Sequence, residues 1–389
     1  MIEKYYSGVI EQIYNRIGKE TRNIVMANYS NDFSIENLEV IRRYQSNEDN
    51  VFFAYSEFSY NTLVGAYEPF LDIICNMHRR FIGGSFDDFQ KECGVYYLHR
   101  QVLNSYYETG ECFREETVLL NEVAYEQRRM TMAIADMLKK LSEVKPLMIV
   151  INRFQMASKS SIETIKYLID NPCANIGIVL GVNAIVKGTD STVEVWDRIV
   201  ESLEERSAIY YIGSAGPLKN NVKTTNDDEL YITMNFEQSI QEASNIMEFL
   251  DFEQARRGCR IIEHKLKFED AWIDEKSLRR FYMVYARTSV LLGEMSKAIE
   301  LTNEYKALIP ENDSEHYLSL YYFMKGTCYM YQGKLEKAGN SAKSAYDYAV
   351  LAEDDTLIFK AELLSVMIKM SGWYNIFFCV QDIPVSDEI

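Results

Sequence analysis

The stretch Pro146-Leu147-Met148-Ile149-Val150-Ile151 is a continuous apolar run that starts at a proline. A short run of this kind, rich in β-branched residues, is typical of a strand that is buried on both faces of a parallel sheet. Asn152 and Arg153 follow the run directly, and residues 160–169 then have the spacing of an amphipathic helix, which Pro172 ends. A buried strand followed by a helix is the building unit of an α/β domain.

The same alternation extends over residues 1–222. Strands are predicted at residues 23–27, 51–57, 147–151, 176–180 and 209–212, and helices at residues 3–18, 35–44 and 160–169. A long, mostly helical insert fills residues 67–141, with breaks at Gly83-Gly84 and near Gly110. This order of elements predicts a parallel sheet with helical crossovers.

From about residue 240 onward the strand signal ends, and a turn followed by an alanine-containing helix recurs. The copies read Leu250-Asp251-Phe252-Glu253-Gln254-Ala255, Gly293-Glu294-Met295-Ser296-Lys297-Ala298 and Gly333-Lys334-Leu335-Glu336-Lys337-Ala338, with a weaker fourth at Gly372-Trp373-Tyr374. Their first residues are 43, 40 and 39 positions apart, a period that indicates stacked helical hairpins. Glycine supplies a positive φ at the turn, and alanine lets two helices approach closely. The pattern resembles the longer form of the tetratricopeptide repeat found in bacterial regulators.

The order of elements in residues 20–215 resembles the STAND family of signal-transduction ATPases, a branch of the AAA-like P-loop NTPases. The resemblance is carried by Glu126-Gln127-Arg128, by the apolar strand with the turn Phe154-Gln155-Met156-Ala157-Ser158, and by Ala66-Tyr67-Glu68-Pro69-Phe70. It implies an α/β P-loop-NTPase-like parallel sheet domain, residues 1–222, followed by an all-α tetratricopeptide-like helical-hairpin domain, residues 223–389.

The phosphate loop of that family is altered in this sequence. The motif G-x-x-x-x-G-K-[ST] lets backbone N–H groups wrap the phosphates, while the lysine neutralises their charge and the hydroxyl holds Mg²⁺. At the corresponding positions, Ala27 and Asp32 replace the glycines, Phe33 replaces the lysine, and only Ser34 is retained. Asp32 would repel a phosphate, so a phosphate grip is not expected. The alternative role for Asp32 and Ser34 is to cap a helix N-terminus.

The metal site of the family is altered as well. Asn152 takes the place of the acid that holds Mg²⁺ through water, and Arg153 the place of the acid that polarises the attacking water. Asn183 stands where a strand usually ends in a γ-phosphate sensor, and it is either a residual ligand contact or an ordinary strand-end amide. No other catalytic spacing is found around the four histidines. We therefore expect no catalysis and no cofactor, with ATP and Mg²⁺ bound only if the altered loop still works.

Composition restricts the partners and the compartment. The net charge of −17 opposes binding to nucleic acid or to anionic lipid by this chain alone. The apolar runs are too short to cross a bilayer, and no basic region with an apolar core opens the chain, so we expect neither a membrane span nor a secretory signal. The seven cysteines form no C-x-x-C pair, as expected for scattered reduced thiols. The cytoplasm is the expected location.

Many aromatic residues cluster in one predicted helix of the repeats. Tyr317, Tyr321, Tyr322 and Tyr329 are candidates for a groove that binds a protein or peptide, although interhelical packing accounts for part of this signal. The favoured hypothesis is a non-catalytic signalling or regulatory scaffold. Two alternatives remain open: an ATP-binding switch with an altered phosphate loop, and the sensory part of a transcriptional or second-messenger regulator that lacks its output domain.

Overall fold

The fold is described from a computed structural model of the full chain. The described residues are 2–29, 38–46, 50–59, 63–112, 122–183, 186–187, 193–212, 223–224, 235–268, 273–312 and 314–381. The chain forms two compact units, residues 1–269 and residues 270–389. The predicted domain boundary after residue 222 falls among residues that are not described, and it stays a prediction.

The first unit contains all the strands that the structure describes and ten α-helices. The strands are β1 (Ile24–Tyr29), β2 (Phe52–Glu57), β3 (Leu147–Asn152), β4 (Ile176–Asn183), β5 (Val186–Lys187), β6 (Ile209–Ile212) and β7 (Lys223–Thr224). The helices are α1 (Ile2–Arg16), α2 (Glu39–Ser46), α3 (Phe70–Met77), α4 (Phe86–Glu92), α5 (Tyr97–Thr109), α6 (Val123–Val144), α7 (Lys159–Asp170), α8 (Val193–Glu205), α9 (Phe236–Glu248) and α10 (Phe252–Phe268). A π-helical turn extends α3 over His78–Ile82, and a 3-10 turn covers Phe154–Met156.

The second unit is helical throughout its described residues. Its helices are α11 (Glu275–Leu291), α12 (Met295–Ala307), α13 (Glu315–Tyr331), α14 (Leu335–Leu351) and α15 (Asp355–Gln381). The predicted fold class, a parallel α/β domain followed by an all-helical region, is confirmed, since the seven helices from α9 onward follow the sheet along the chain. None of the described helices is long and apolar enough to span a membrane.

Five strands form one parallel sheet in the order β2-β3-β4-β1-β6. All five strands predicted from the sequence are present, with ends that differ by up to three residues. The strands β5 and β7 form a separate two-residue ladder that the sequence did not predict. Strands β3 and β4 are buried along their whole length, because helices cover the apolar run on both faces.

Helix α1 packs across one face of the sheet, directly over β4. A side chain at Gly177 would lie 2.9 Å from atoms of Ile13 in α1 and of Ile17 in the turn that follows this helix, so only glycine allows this approach. Tyr6, Ile10 and Ile13 of the same helix are buried in the core that covers β1, β3 and β4. Helix α1 is therefore fixed to the sheet by close packing, which brings Tyr6 to the carboxyl end of β4.

Three of the four predicted turns between helices are present. Gly293 and Gly333 have φ of +78° and +71°, and the turn before α10 has Leu250 at +69°. The alanines of these copies, Ala255, Ala298 and Ala338, are fully buried.

The predicted turn at Gly372 is wrong, because α15 runs continuously through that residue. Glycine permits a positive φ but does not impose one, so a helix can continue through it at a cost of about 1 kcal/mol.

Candidate functional site

The sheet brings together the strand ends at which the sequence predicted a degenerate nucleotide site. Strand β4 lies between β1 and β3, and Tyr29 at the end of β1 pairs with Asn183 at the end of β4. Asn152 ends β3, which is the other neighbour of β4. The carboxyl ends of β1, β4 and β3 thus form one edge, which is where ligands of open parallel sheets bind.

Strand β1 extends two residues beyond its predicted end at residue 27. Ala27, predicted to open the loop at the first glycine position, lies within β1 and pairs with Gly181 of β4 and Tyr210 of β6. The strand continues to Tyr29 because both of its neighbours continue with it. Asp32, Phe33 and Ser34 lie outside the described residues, so their predicted roles stay predictions.

Tyr29 occupies the space at this edge. Its hydroxyl donates a 2.5 Å hydrogen bond to Asn152 Oδ1, reaching across β4, and both side chains are fully buried. The ring of Tyr6 packs edge-on against Tyr29, with 6.4 Å between ring centroids. A side chain at Gly181 would lie 2.5 Å from the Tyr6 hydroxyl and 2.8 Å from Asn152 Oδ1, so the glycine makes this cluster possible.

The hydroxyl of Tyr6 stays protonated in this cluster. Burial raises the pKa of Tyr6 well above its usual value, and the nearby Tyr29, Tyr55 and Glu57 raise it further. A protonated phenol donates one hydrogen bond and bears no charge. The cluster therefore supplies neither the negative charge that would hold Mg²⁺ nor the positive charge that would hold a phosphate.

Arg153 is engaged in an ion pair at the same edge. Its guanidinium lies 3.2 Å from Glu57 Oε1 at the end of β2, and it donates to the Phe58 carbonyl oxygen at 3.4 Å. Tyr55 donates to the other carboxylate oxygen of Glu57. Arg153 has φ of +53°, a left-handed conformation unusual for a residue with a side chain. The backbone reverses there, so that Phe154 enters the core while the guanidinium stays at the strand end.

Asn183 is tied to the turn that follows β3. Its backbone N–H donates to Gln155 Oε1 at 3.2 Å, and both residues are buried. The predicted sensor position is thus part of the internal hydrogen-bond network of the edge. This contact spans two adjacent strand ends and stabilises their positions relative to each other.

Sequence reasoning missed Tyr6, Tyr29, Glu57 and Gly181 as residues of this edge. The spacing Gly177-x-x-x-Gly181 within an otherwise β-branched strand was an available signal, because a glycine inside a strand often marks a close approach of another chain segment. No sequence signal predicts which tyrosine reaches such a glycine.

The predicted groove tyrosines differ in exposure within the second unit. Tyr321 is 2% exposed and accepts a hydrogen bond from Lys325 Nζ, so it contributes to packing. Tyr322 stacks on Tyr348 of α14 with 5.6 Å between ring centroids. Tyr317 and Tyr329 are half-buried. Three of the four tyrosines therefore retain part of their surface.

A cavity of about 230 Å³ lies at the opposite, amino-terminal edge of the sheet. Among the described residues, its lining includes Arg16, Arg22 and Arg206, with Glu20 as the one carboxylate. Arg206 donates to the Ile169 carbonyl oxygen at 2.7 Å, and Arg16 lies 3.6 Å from Glu20. Arg22 is exposed and forms no ion pair with any described residue. Guanidinium groups in this arrangement suit a small anion.

Three acids approach one another inside the first unit, at Glu68, Asp72 and Glu242. A side chain at Gly65 would lie 2.9 Å from Glu242 Oε1 and 3.4 Å from Glu68 Oε2. Tyr106 donates to Asp72 at 3.1 Å. Burial, with the charges of Glu68 and Asp72, raises the pKa of Glu242 to about 7, and burial also raises the pKa of Glu68. Within the described residues, no group of three or more such side chains is arranged to hold a metal ion.

Comparison with models of known protein families and with curated proteins finds no match to this chain. The STAND and tetratricopeptide resemblances therefore rest on the residues that carry them.

Proposed function

We propose that the chain is a non-catalytic signalling or regulatory scaffold, in which a pseudo-NTPase domain accompanies helical hairpins that bind a protein or peptide. The observation that carries the proposal is the hydrogen bond from Tyr29 to Asn152 across Gly181. The chain's own side chains occupy the edge where a nucleotide of this fold type would bind.

Two further contacts support the pseudo-NTPase assignment. Arg153 stands in place of a catalytic acid and is paired with Glu57, so neither side chain is available to polarise a water molecule. The backbone N–H of Asn183 is held by Gln155 instead of pointing at a ligand. Restoring a nucleotide site would require breaking these contacts as well as restoring the glycines and the lysine of the loop.

The hairpins support the binding role. Stacked hairpins present extended surfaces that recognise other proteins or peptides, and aromatic side chains are favoured at such contacts. Tyr317, Tyr322 and Tyr329 keep part of their surface open on α13.

Thermal unfolding of the full chain with and without millimolar Mg-ATP tests the pseudo-NTPase part. A ligand at 100 times its Kd adds about 2.7 kcal/mol to the free energy of unfolding, which is a readily measured shift. We expect no shift from binding at the strand ends. The Arg22→Ala variant is the control, because phosphates of ATP could also bind the arginine cavity at the other edge. An upward shift that persists in Arg22→Ala would overturn the proposal.

Affinity capture from the native host with the full chain as bait tests the binding part. We expect a captured protein to be lost when Tyr317, Tyr322 and Tyr329 are changed to alanine together. Asn303→Ala, an exposed change on α12, is the matched control and keeps the capture. Capture that is unchanged by the triple substitution would exclude these three tyrosines as contact residues.

A second candidate function is recognition of a small anion in the arginine cavity. The described lining has three arginines and one glutamate, so its net charge is positive. The whole chain has a net charge of −17. The volume of about 230 Å³ suits a phosphate or a short carboxylate more than a whole nucleotide. Titration calorimetry with inorganic phosphate should give binding that Arg22→Ala removes and that Lys19→Ala, an exposed neighbour outside the lining, leaves in place.

A further inference from the structure

Helix α15 has two opposite apolar faces. Leu357, Ala361, Leu364 and Ile368 are buried, and the last two pack against α13 and α14 in the core of the second unit. Their spacing of 4, 3 and 4 residues makes one face of a helix. This inner face accounts for the attachment of α15 to its own unit.

The outer face of α15 is apolar and exposed. Phe359, Leu363, Val366 and Met370 are 59%, 38%, 50% and 62% exposed and have the same 4, 3 and 4 spacing. Single exposed apolar residues are normal on a protein surface, whereas four in register on one helix form a patch that marks an interaction site. A helix that is apolar on opposite faces is typically buried on both.

Two charged residues flank this outer face. Glu362 and Lys369 are exposed, lie two helical turns apart on the same side, and form no ion pair with any described residue. Their charges are opposite, so this pair adds no net charge to the face, whereas the whole chain has a net charge of −17.

The residues of the outer face match those of a second α15 helix that runs in the opposite direction. In an antiparallel pair of α15 helices, Phe359 of one copy meets Met370 of the other, and Leu363 meets Val366. The same alignment places Glu362 of each copy beside Lys369 of its partner copy. A parallel pair would place Met367 opposite Glu362 and would form no such ion pair.

We propose that the outer face of α15 binds a second copy of this chain as an antiparallel helix pair with two-fold symmetry. The 3-4 spacing of its apolar residues is that of a coiled-coil seam, in which side chains of one helix fit between those of the other. Self-association goes beyond the proposed function, because it depends neither on the loss of nucleotide binding at the sheet edge nor on the binding of another protein to α13.

Analytical ultracentrifugation of the full chain, over a wide range of concentrations, tests the proposal. We expect a concentration-dependent species of twice the chain mass of 45.3 kDa. Val366→Glu buries a charge in the seam and should weaken association by about tenfold or more. Asn303→Glu adds the same charge at an exposed position of α12 and should leave association unchanged. Val366 is half exposed, so thermal unfolding should confirm that the variant remains folded.

Charge exchange tests the antiparallel orientation. Glu362→Lys alone and Lys369→Glu alone should each weaken association roughly 3- to 10-fold, because each places like charges together. The double variant Glu362→Lys/Lys369→Glu should recover the wild-type affinity, and an equal mixture of the two single variants should form mixed dimers.

Three results would overturn the proposal. The chain could remain monomeric at every concentration. That result would exclude a second copy as the group that covers this face, and residues 382–389 or another protein would be the remaining candidates. The dimer could form equally well in Val366→Glu. The double charge exchange could fail to recover affinity, which would exclude the antiparallel arrangement.

Discussion

The carboxyl edge of the sheet and the outer face of α15 use their side chains in opposite ways. At the edge, hydroxyl, amide and charged groups of the kind that a ligand site needs are engaged with one another, as in the pairs Tyr29–Asn152 and Arg153–Glu57. On α15, apolar groups of the kind that a core needs are exposed. Residue type therefore indicates a binding function only where the fold leaves the group unengaged.

The tightest packing at the closed edge should show the largest effect. Gly181→Ala places a methyl group 2.5 Å from the Tyr6 hydroxyl and 2.8 Å from Asn152 Oδ1. We expect it to lower the free energy of unfolding by about 3 kcal/mol, because overpacking displaces buried side chains. Chemical unfolding of the full chain, followed by circular dichroism, measures the change.

Gly8→Ala is the matched control for this substitution. Apart from Gly8 itself, its chain neighbours and the backbone of its own helix, no described atom lies within 4 Å of the position that a Cβ would take at Gly8, which is inside helix α1. We expect it to stabilise the chain by up to about 1 kcal/mol through helix propensity. Equal effects of the two substitutions would contradict the account of a filled edge.

The buried acids of the first unit predict a pH dependence. The pKa of Glu242 is raised from about 4.5 to about 7, so the folded state holds a proton that the unfolded state releases between those values. The free energy of unfolding should therefore fall by on the order of 2–3 kcal/mol as pH rises from about 4.5 to about 7. Above about pH 7, this group should cause no further change. Chemical unfolding at a series of pH values measures the slope.

Glu242→Gln separates this group from the other acids. The variant should lose most of that slope and be more stable than the wild type at pH 8, because the amide remains neutral. Glu237→Gln, on the same helix and exposed at its first turn, should keep the slope. A slope that survives in Glu242→Gln would assign the proton to another group, such as Glu68.

Adjacent residues of α14 test the packing of the helical unit. Ala338 is fully buried where α13 approaches through Gly326. At Gly339, by contrast, a side chain would meet no described atom within 4 Å other than those of its own helix backbone and chain neighbours. Ala338→Leu should lower the free energy of unfolding by about 2 kcal/mol. Gly339→Ala should raise it by up to about 1 kcal/mol. If both substitutions were neutral, the close approach of these helices would be excluded.

The ion pair at the closed edge should show the smallest effect. Arg153 and Glu57 are partly exposed, so solvent screens their attraction. A double-mutant cycle with Arg153→Ala and Glu57→Ala should give a coupling energy of about 0.5–1 kcal/mol, measured by chemical unfolding. A coupling energy of zero would mean that the backbone conformation of Arg153, and not the ion pair, fixes the position of its side chain.

The sequence predicted the five-stranded sheet because apolar strand and helix periods are local properties. Its errors lie where local preference is weak. Glycine at residue 372 is compatible with a turn or a helix, and the helix continues there. Strand β1 continues to Tyr29 because pairing with β4 and β6 provides hydrogen bonds that no local pattern announces.

The sequence predicted where the candidate site lies, but not which side chains fill it. The sequence indicated that the ends of β1, β3 and β4 lack the phosphate and metal residues of the resembled family, and the topology brings those ends together. It did not predict that Tyr6 and Tyr29 fill the space, because their contacts cross between segments that are distant in the chain. The exposed outer face of α15 was likewise invisible, since an apolar spacing is the same whether or not a neighbour covers it.

Sequence patterns alone were enough to predict the succession of strands and helices along the chain and the hairpin turns at Gly293 and Gly333. They also showed that the loop lysine and the two metal-site acids of the resembled family are replaced by Phe33, Asn152 and Arg153. These follow from residue chemistry and local periodicity. Two features depend on the folded chain as a whole: which polar groups form hydrogen bonds with one another at the sheet edge, and which apolar groups on α15 remain exposed. Burial and hydrogen bonding join residues that are far apart in the chain, and no local pattern specifies those pairs.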